Sequence, residues 1–167
     1  MKTRKMTLMG LLTAIALTIF MVEAQIPMPI TGIKLGLSNI VTVFAVFLLG
    51  AKPAAAILFA RIFLGAIFSG QFGTIIYSAA GGLLAWLTAI GLKAVLTPKQ
   101  IWVAGCLGAI AHSIGQMIVA VFLTGTPTLM IYLPVMILCS VFTGTFTGLC
   151  AQLLLNRGDN LWKTFLK

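Results

Sequence analysis

Acidic side chains are almost missing from this chain: Glu23 and Asp159 are the only two in 167 residues. That scarcity excludes mechanisms built on several carboxylates, among them aspartate-rich magnesium–diphosphate sites, carboxylate dyads and carboxylate-bound metal clusters. Charge of either sign is rare, at 8% of residues against about 25% in an average soluble domain. With 60% hydrophobic residues and a mean hydropathy of +1.15, the chain has too few polar side chains to cover a globule. A soluble protein is excluded.

Other absences narrow the chemistry. There is no Gly-x-x-x-x-Gly-Lys-Ser/Thr phosphate loop, so this chain does not itself energise anything by ATP hydrolysis. There is no Gly-x-Ser-x-Gly elbow and no Ser/His/Asp set with a free carboxylate. The sequence is therefore not that of an enzyme acting alone. Cys106, Cys139 and Cys150 lie inside apolar segments and form no Cys-x-x-Cys pair. We expect them to be buried small hydrophobes, with no redox framework, metal site or other cofactor.

What the chain has is long apolar runs. A membrane-spanning helix takes about 20 residues, so six spans would consume roughly 120. The runs, read with their Pro and Gly punctuation, predict an all-α integral membrane protein: one domain, a bundle of six transmembrane helices at about 6–22, 35–49, 54–68, 74–92, 101–123 and 129–155. The first run follows Lys2, Arg4 and Lys5, and Val22-Glu23-Ala24 resembles a signal-peptide cleavage site. The length of the run favours a retained helix. Pro27 and Pro29 at alternate positions forbid helix and make residues 25–32 a loop. Pro53 suits the first turn of helix 3, Pro134 is expected to kink helix 6, and Trp162 and Phe165 suit an interfacial anchor. No internal repeat is visible.

The net charge of +9 would permit a nucleic-acid reading, but the basic residues form no stripe. They obey a topological rule instead. Lys2, Arg4, Lys5, Lys52, Lys93, Lys99, Arg157, Lys163 and Lys167 fall on one face, and Lys34 alone falls on the other. The positive-inside rule then puts both termini in the cytoplasm, and no nucleic-acid partner is expected.

Arg61 remains, near the middle of helix 3. A charge there costs about 2.5–3.5 kcal/mol on insertion scales, so it faces the bundle interior and has a partner. Two readings stand: a buried arginine bonded to backbone carbonyls or to Glu23, or an anchor for an anionic small-molecule ligand. Lys34 either joins that anchor or snorkels to the interface and pairs with Glu23. His112 and Gln116, four apart on helix 5, share a face. They serve as interhelical glue, as ligand contacts or, for His112, as a proton relay. Asn39 and Gln71 are polar glue or cavity lining. Small residues repeat at spacing four in Gly144-x-x-x-Gly148, Ser78-x-x-x-Gly82 and Gly10-x-x-x-Ala14, which lets a second helix approach closely, inside the bundle or from a partner.

Several of these residues fall in blocks that resemble a known family. Ile26-Pro27-Met28-Pro29 followed by residues 32–40, Arg61-Ile62-Phe63-Leu64-Gly65, Tyr77 to Gly82, and residues 108–116 continuing to Gly125-Thr126-Pro127 occur in that order. They resemble the Gx transporter family, also called heptaprenyl diphosphate synthase component I, over about residues 6–155. The resemblance implies a bundle in a bacterial cell membrane, similar to the substrate-binding S components of energy-coupling-factor transporters. Such a bundle binds a small ligand near its outer face and works with a transmembrane coupling protein and ATPases. Gly10 and Ala14 would then be the docking stripe on helix 1. Lys34, Asn39, Arg61, Gln71, His112 and Gln116 would line the ligand cavity, with the Pro-rich 1–2 loop as its lid. The family also implies a second possibility, a non-catalytic accessory subunit working with membrane proteins of quinone or prenyl-diphosphate synthesis or of flavin-based extracellular electron transfer. A catalytic prenyl synthase is excluded by the lone aspartate.

Overall fold

The computed structural model describes residues 2–26, 34–158 and 162. Among them there is no strand: the elements are α1 (Lys2–Glu23), α2 (Asn39–Leu49), α3 (Ala51–Ser69), α4 (Thr74–Lys93), α5 (Ile101–Thr124), a 3-10 helix (Pro127–Tyr132) and α6 (Leu133–Arg157). Five helical segments are long and apolar enough to cross a membrane: Thr3–Glu23, Ala51–Ser69, Thr74–Lys93, Ile101–Thr124 and Pro127–Arg157. The chain is a multi-pass membrane protein. Its surface agrees, for Phe63, Phe122 and Phe142 are 62%, 86% and 75% exposed, which is sustainable against lipid and not against water.

The sixth element departs from the expected span. α2 has 11 residues, about 16 Å of helix against a hydrocarbon core of about 30 Å. It starts at Asn39, not at residue 35, because residues 34–38 are non-helical. The helix contacts every other helix of the bundle, and Val41 through Val46 are all buried. A helix apolar on all sides is one that is surrounded; α2 is the bundle's axis. Gly50, at φ +96°, separates it from α3, and its N–H donates to the carbonyls of Ala45 and Val46. Pro53 falls in the first turn of α3 as expected. Pro134 is a correction: it sits in the first turn of α6, after the 3-10 segment, where its missing N–H has no helical acceptor to lose.

α5 packs most extensively, against α6 and α4. The contact with α6 is backbone to backbone: a Cβ at Gly148 would meet the Trp102 carbonyl oxygen at 2.5 Å, and one at Gly144 would meet Ala109 Cβ at 2.6 Å. The Ser113 and Ser140 hydroxyls bond across the same interface at 2.6 Å. Gly144-x-x-x-Gly148 thus serves the bundle itself. Gly10 and Ala14 are exposed on α1, and a Cβ at Gly10 would meet no atom within 4 Å. The cysteines are not buried as expected: Cys139 is exposed and Cys106 and Cys150 are partly so. In a bilayer a thiol needs no protein cover, since lipid is as apolar as a core. Trp162 packs edge-on against Phe44, centroids 5.5 Å apart; Phe165, Asp159, Lys163, Lys167 and the Pro27–Pro29 lid lie outside the described residues.

Candidate functional site

The non-helical stretch 34–38 enters the bundle between α1, α3 and α5, and its polar backbone must find partners there, because irregular backbone at membrane depth survives only inside protein. Two side chains supply them. Gln116 Oε1 accepts the Lys34 N–H at 3.2 Å, and Glu23 Oε1 accepts the Gly36 N–H. Gly36 has φ +79°, and a Cβ there would stand 2.8 Å from Asn39 Nδ2 and 2.9 Å from His112 Cδ2. Both the conformation and the space demand glycine. A Cβ on Gly81 would likewise stand 2.8 Å from His112 Cε1 and Nδ1. The His112 ring thus fills a slot between two glycines, one on the connection and one on α4.

Arg61, 2% exposed, reaches into the same place from α3, and its Nη1 donates to the Ser38 hydroxyl. Lys34 Nζ lies over the Phe20 ring, 3.3 Å from the centroid, and Arg61 Cζ is 5.8 Å from it. One aromatic ring therefore serves two cations. Phe20 reaches this position because α3 carries glycine opposite it: a Cβ at Gly65 would be 2.5 Å from Phe20 Cε1.

These residues enclose a cavity of about 10 Å³, lined by Phe20, Glu23, Lys34, Gly36, Ser38, Arg61, Ser78, His112 and Gln116. That volume holds about one water molecule. Among the described residues, the buried side-chain polar atoms without a protein partner are Glu23 Oε2, Lys34 Nζ, Asn39 Nδ2 and Oδ1, Arg61 Nε, Ser78 Oγ, His112 Nδ1 and Gln116 Nε2. All belong to this cavity's wall or, for Asn39, to the residue beside it. An unmet buried polar atom costs about 1–3 kcal/mol, so eight of them rival the whole 5–15 kcal/mol of a typical folding free energy. A single water makes two to four bonds and leaves at least half of them unmet. The wall therefore presents two cations and amide, hydroxyl and imidazole groups with hydrogen-bonding capacity that its own residues do not use.

Four of the six candidate ligand residues, Lys34, Arg61, His112 and Gln116, meet in this wall, and Asn39 abuts it. Gln71 does not join them. It is exposed in the turn between α3 and α4, where its carbonyl accepts the Thr74 N–H at 3.1 Å and hydroxyl at 2.8 Å. Sequence reasoning gave Ser78 a helix-packing role in Ser78-x-x-x-Gly82 and did not single out Phe20 or Ser38 as wall residues. Ser38 was visible as a rare polar residue flanking an apolar run, while Phe20 carried no signal among 11 phenylalanines.

A family model described as heptaprenyl diphosphate synthase component I matches residues 12–154. No curated protein and no solved structure matches the chain.

Proposed function

The chain belongs to the heptaprenyl diphosphate synthase component I family, and from that premise we propose that it is a non-catalytic membrane module whose polar cavity binds a small anionic or amphipathic ligand. The observation that carries this reading is the convergence of eight unpartnered buried polar atoms on one cavity that includes two cations. A structural core has no reason to gather its unmet groups in one place; a binding site does. Arg61 and Lys34 take the anionic group, and Gln116, Asn39, Ser78 and His112 orient the remainder. The cavity is closed around about 10 Å³, so binding opens it by moving Phe20 and the 34–38 stretch. Taken with the charge asymmetry of the loops, the site belongs to the outer half of a bundle whose termini are both cytoplasmic, in a bacterial cell membrane.

In this reading the module delivers its ligand with the help of a transmembrane coupling protein and ATPases, docked along the exposed Gly10–Ala14 face of α1. The family's name favours a second reading, an accessory subunit of a prenyl-diphosphate synthesis complex; a quinone-pathway or electron-transfer complex is the wider form of that reading. Affinity purification from native membranes, with mass spectrometry of small molecules and proteins, separates the two. ATPases and a retained ligand support uptake. Synthase or redox proteins with no ligand overturn it and favour the accessory role.

A further inference from the structure

α2 runs from the Arg61 cluster toward the opposite end of the bundle, and there a second and much larger space opens. This cavity, of about 950 Å³, is walled by Phe47, Leu155 and Trp162 among other apolar side chains and rimmed by Lys93, Lys99 and Asn156. Among the described residues, none of those lining it is acidic. The Lys93 ammonium donates to the carbonyls of Val46 at 2.7 Å and Phe47 at 3.1 Å, which caps the C-terminus of α2 and fixes the ammonium at the rim. An ammonium has three donors, so one is left over. Lys99 is exposed on the same rim. The helices that frame the space, α2, α4, α5 and α6, all end or begin there, which puts it at the level where spanning helices leave the hydrocarbon.

We propose that this cavity is a binding site for an anionic phospholipid, its phosphate held by Lys93 and Lys99 and its chain lying against Phe47, Leu155 and Trp162. Cations at the rim of an apolar space match a ligand with a charged head and a hydrocarbon tail, and basic pockets between transmembrane helices take such headgroups. Free phosphate shares the head chemistry but has nothing to place against the apolar walls. The site stands whether or not the Arg61 cavity binds a ligand.

The full chain, reconstituted in phosphatidylcholine nanodiscs with a minor fraction of phosphatidylglycerol, is extracted and its retained lipids are counted by native mass spectrometry. Phosphatidylglycerol is expected to be enriched over its share of the bilayer. Lys99→Gln reduces that enrichment about fivefold, the effect of about one lysine near an anionic surface, and Lys99→Arg retains it. Lys52→Gln, which removes a lysine outside the cavity lining, leaves the enrichment unchanged. Equal retention of the two lipids overturns the site. Equal losses in the Lys52 and Lys99 variants also overturn it, showing diffuse surface attraction. If millimolar inorganic phosphate displaces phosphatidylglycerol and raises thermal stability equally well, the site takes free phosphate and the lipid assignment fails.

Discussion

The Lys34 amide donates to the Gln116 side-chain oxygen at 3.2 Å, joining residues 82 positions apart in sequence. This bond ties the connection before α2 to the second half of α5 and leaves Gln116 Nε2 buried without a protein partner. The same side chain thus holds the backbone of the cavity wall and offers a donor to whatever the cavity contains.

Arg61→Ala should abolish ligand-dependent thermal stabilisation of the purified protein. Truncating one partner of a buried, hydrogen-bonded charge pair costs about 2–5 kcal/mol, at least about thirtyfold in affinity. Melting curves with and without the co-purified ligand check this. Unchanged stabilisation in a folded Arg61→Ala protein would remove Arg61 from the site.

Glu23→Gln tests the sign of the ligand. A glutamine side-chain oxygen still accepts the Gly36 N–H, so the fold is kept, while Lys34 and Arg61 lose their only nearby counter-charge among the described residues. Affinity for an anion should rise, by up to about tenfold per 1.4 kcal/mol gained. A fall in affinity, measured by titration calorimetry, would mean that the ligand brings a cation to Glu23.

Gly81→Ala should lower the melting temperature, since its Cβ would stand 2.8 Å from the His112 ring and from the His112 carbonyl oxygen. Overpacking of this kind costs about 1–3 kcal/mol. Gly91→Ala lies on the same helix with nothing within 4 Å, and should be neutral or gain up to about 1 kcal/mol in helix propensity. Equal effects of the two would show that the His112 slot is not tight.

The apolar runs of α1, α3, α4, α5 and α6 were legible because a bilayer demands about 20 apolar residues per span. The meeting of Lys34, Arg61, His112 and Gln116 was legible for the complementary reason: polar side chains so costly in lipid gather inside. The late start of α2 was not, because residues 35–38 read as apolar and permissive, while the left-handed Gly36 and the turn after it depend on distant partners: Glu23 on the Gly36 amide, Gln116 on the Lys34 amide and Arg61 on Ser38. Gln71 misled because polarity alone does not separate a buried wall from a turn at the helix ends. Phe20 was hidden for want of contrast, its role being set by the empty space above Gly65 on another helix.

α2 has a mechanical consequence. At about 16 Å long, its first turn holds Asn39 beside the Arg61 cavity, and its last holds Phe47 in the wall of the lysine-rimmed space, clasped there by Lys93. It is a short, stiff rod enclosed by five longer ones, with one end at each chamber. A slide or tilt of that rod changes both chambers at once.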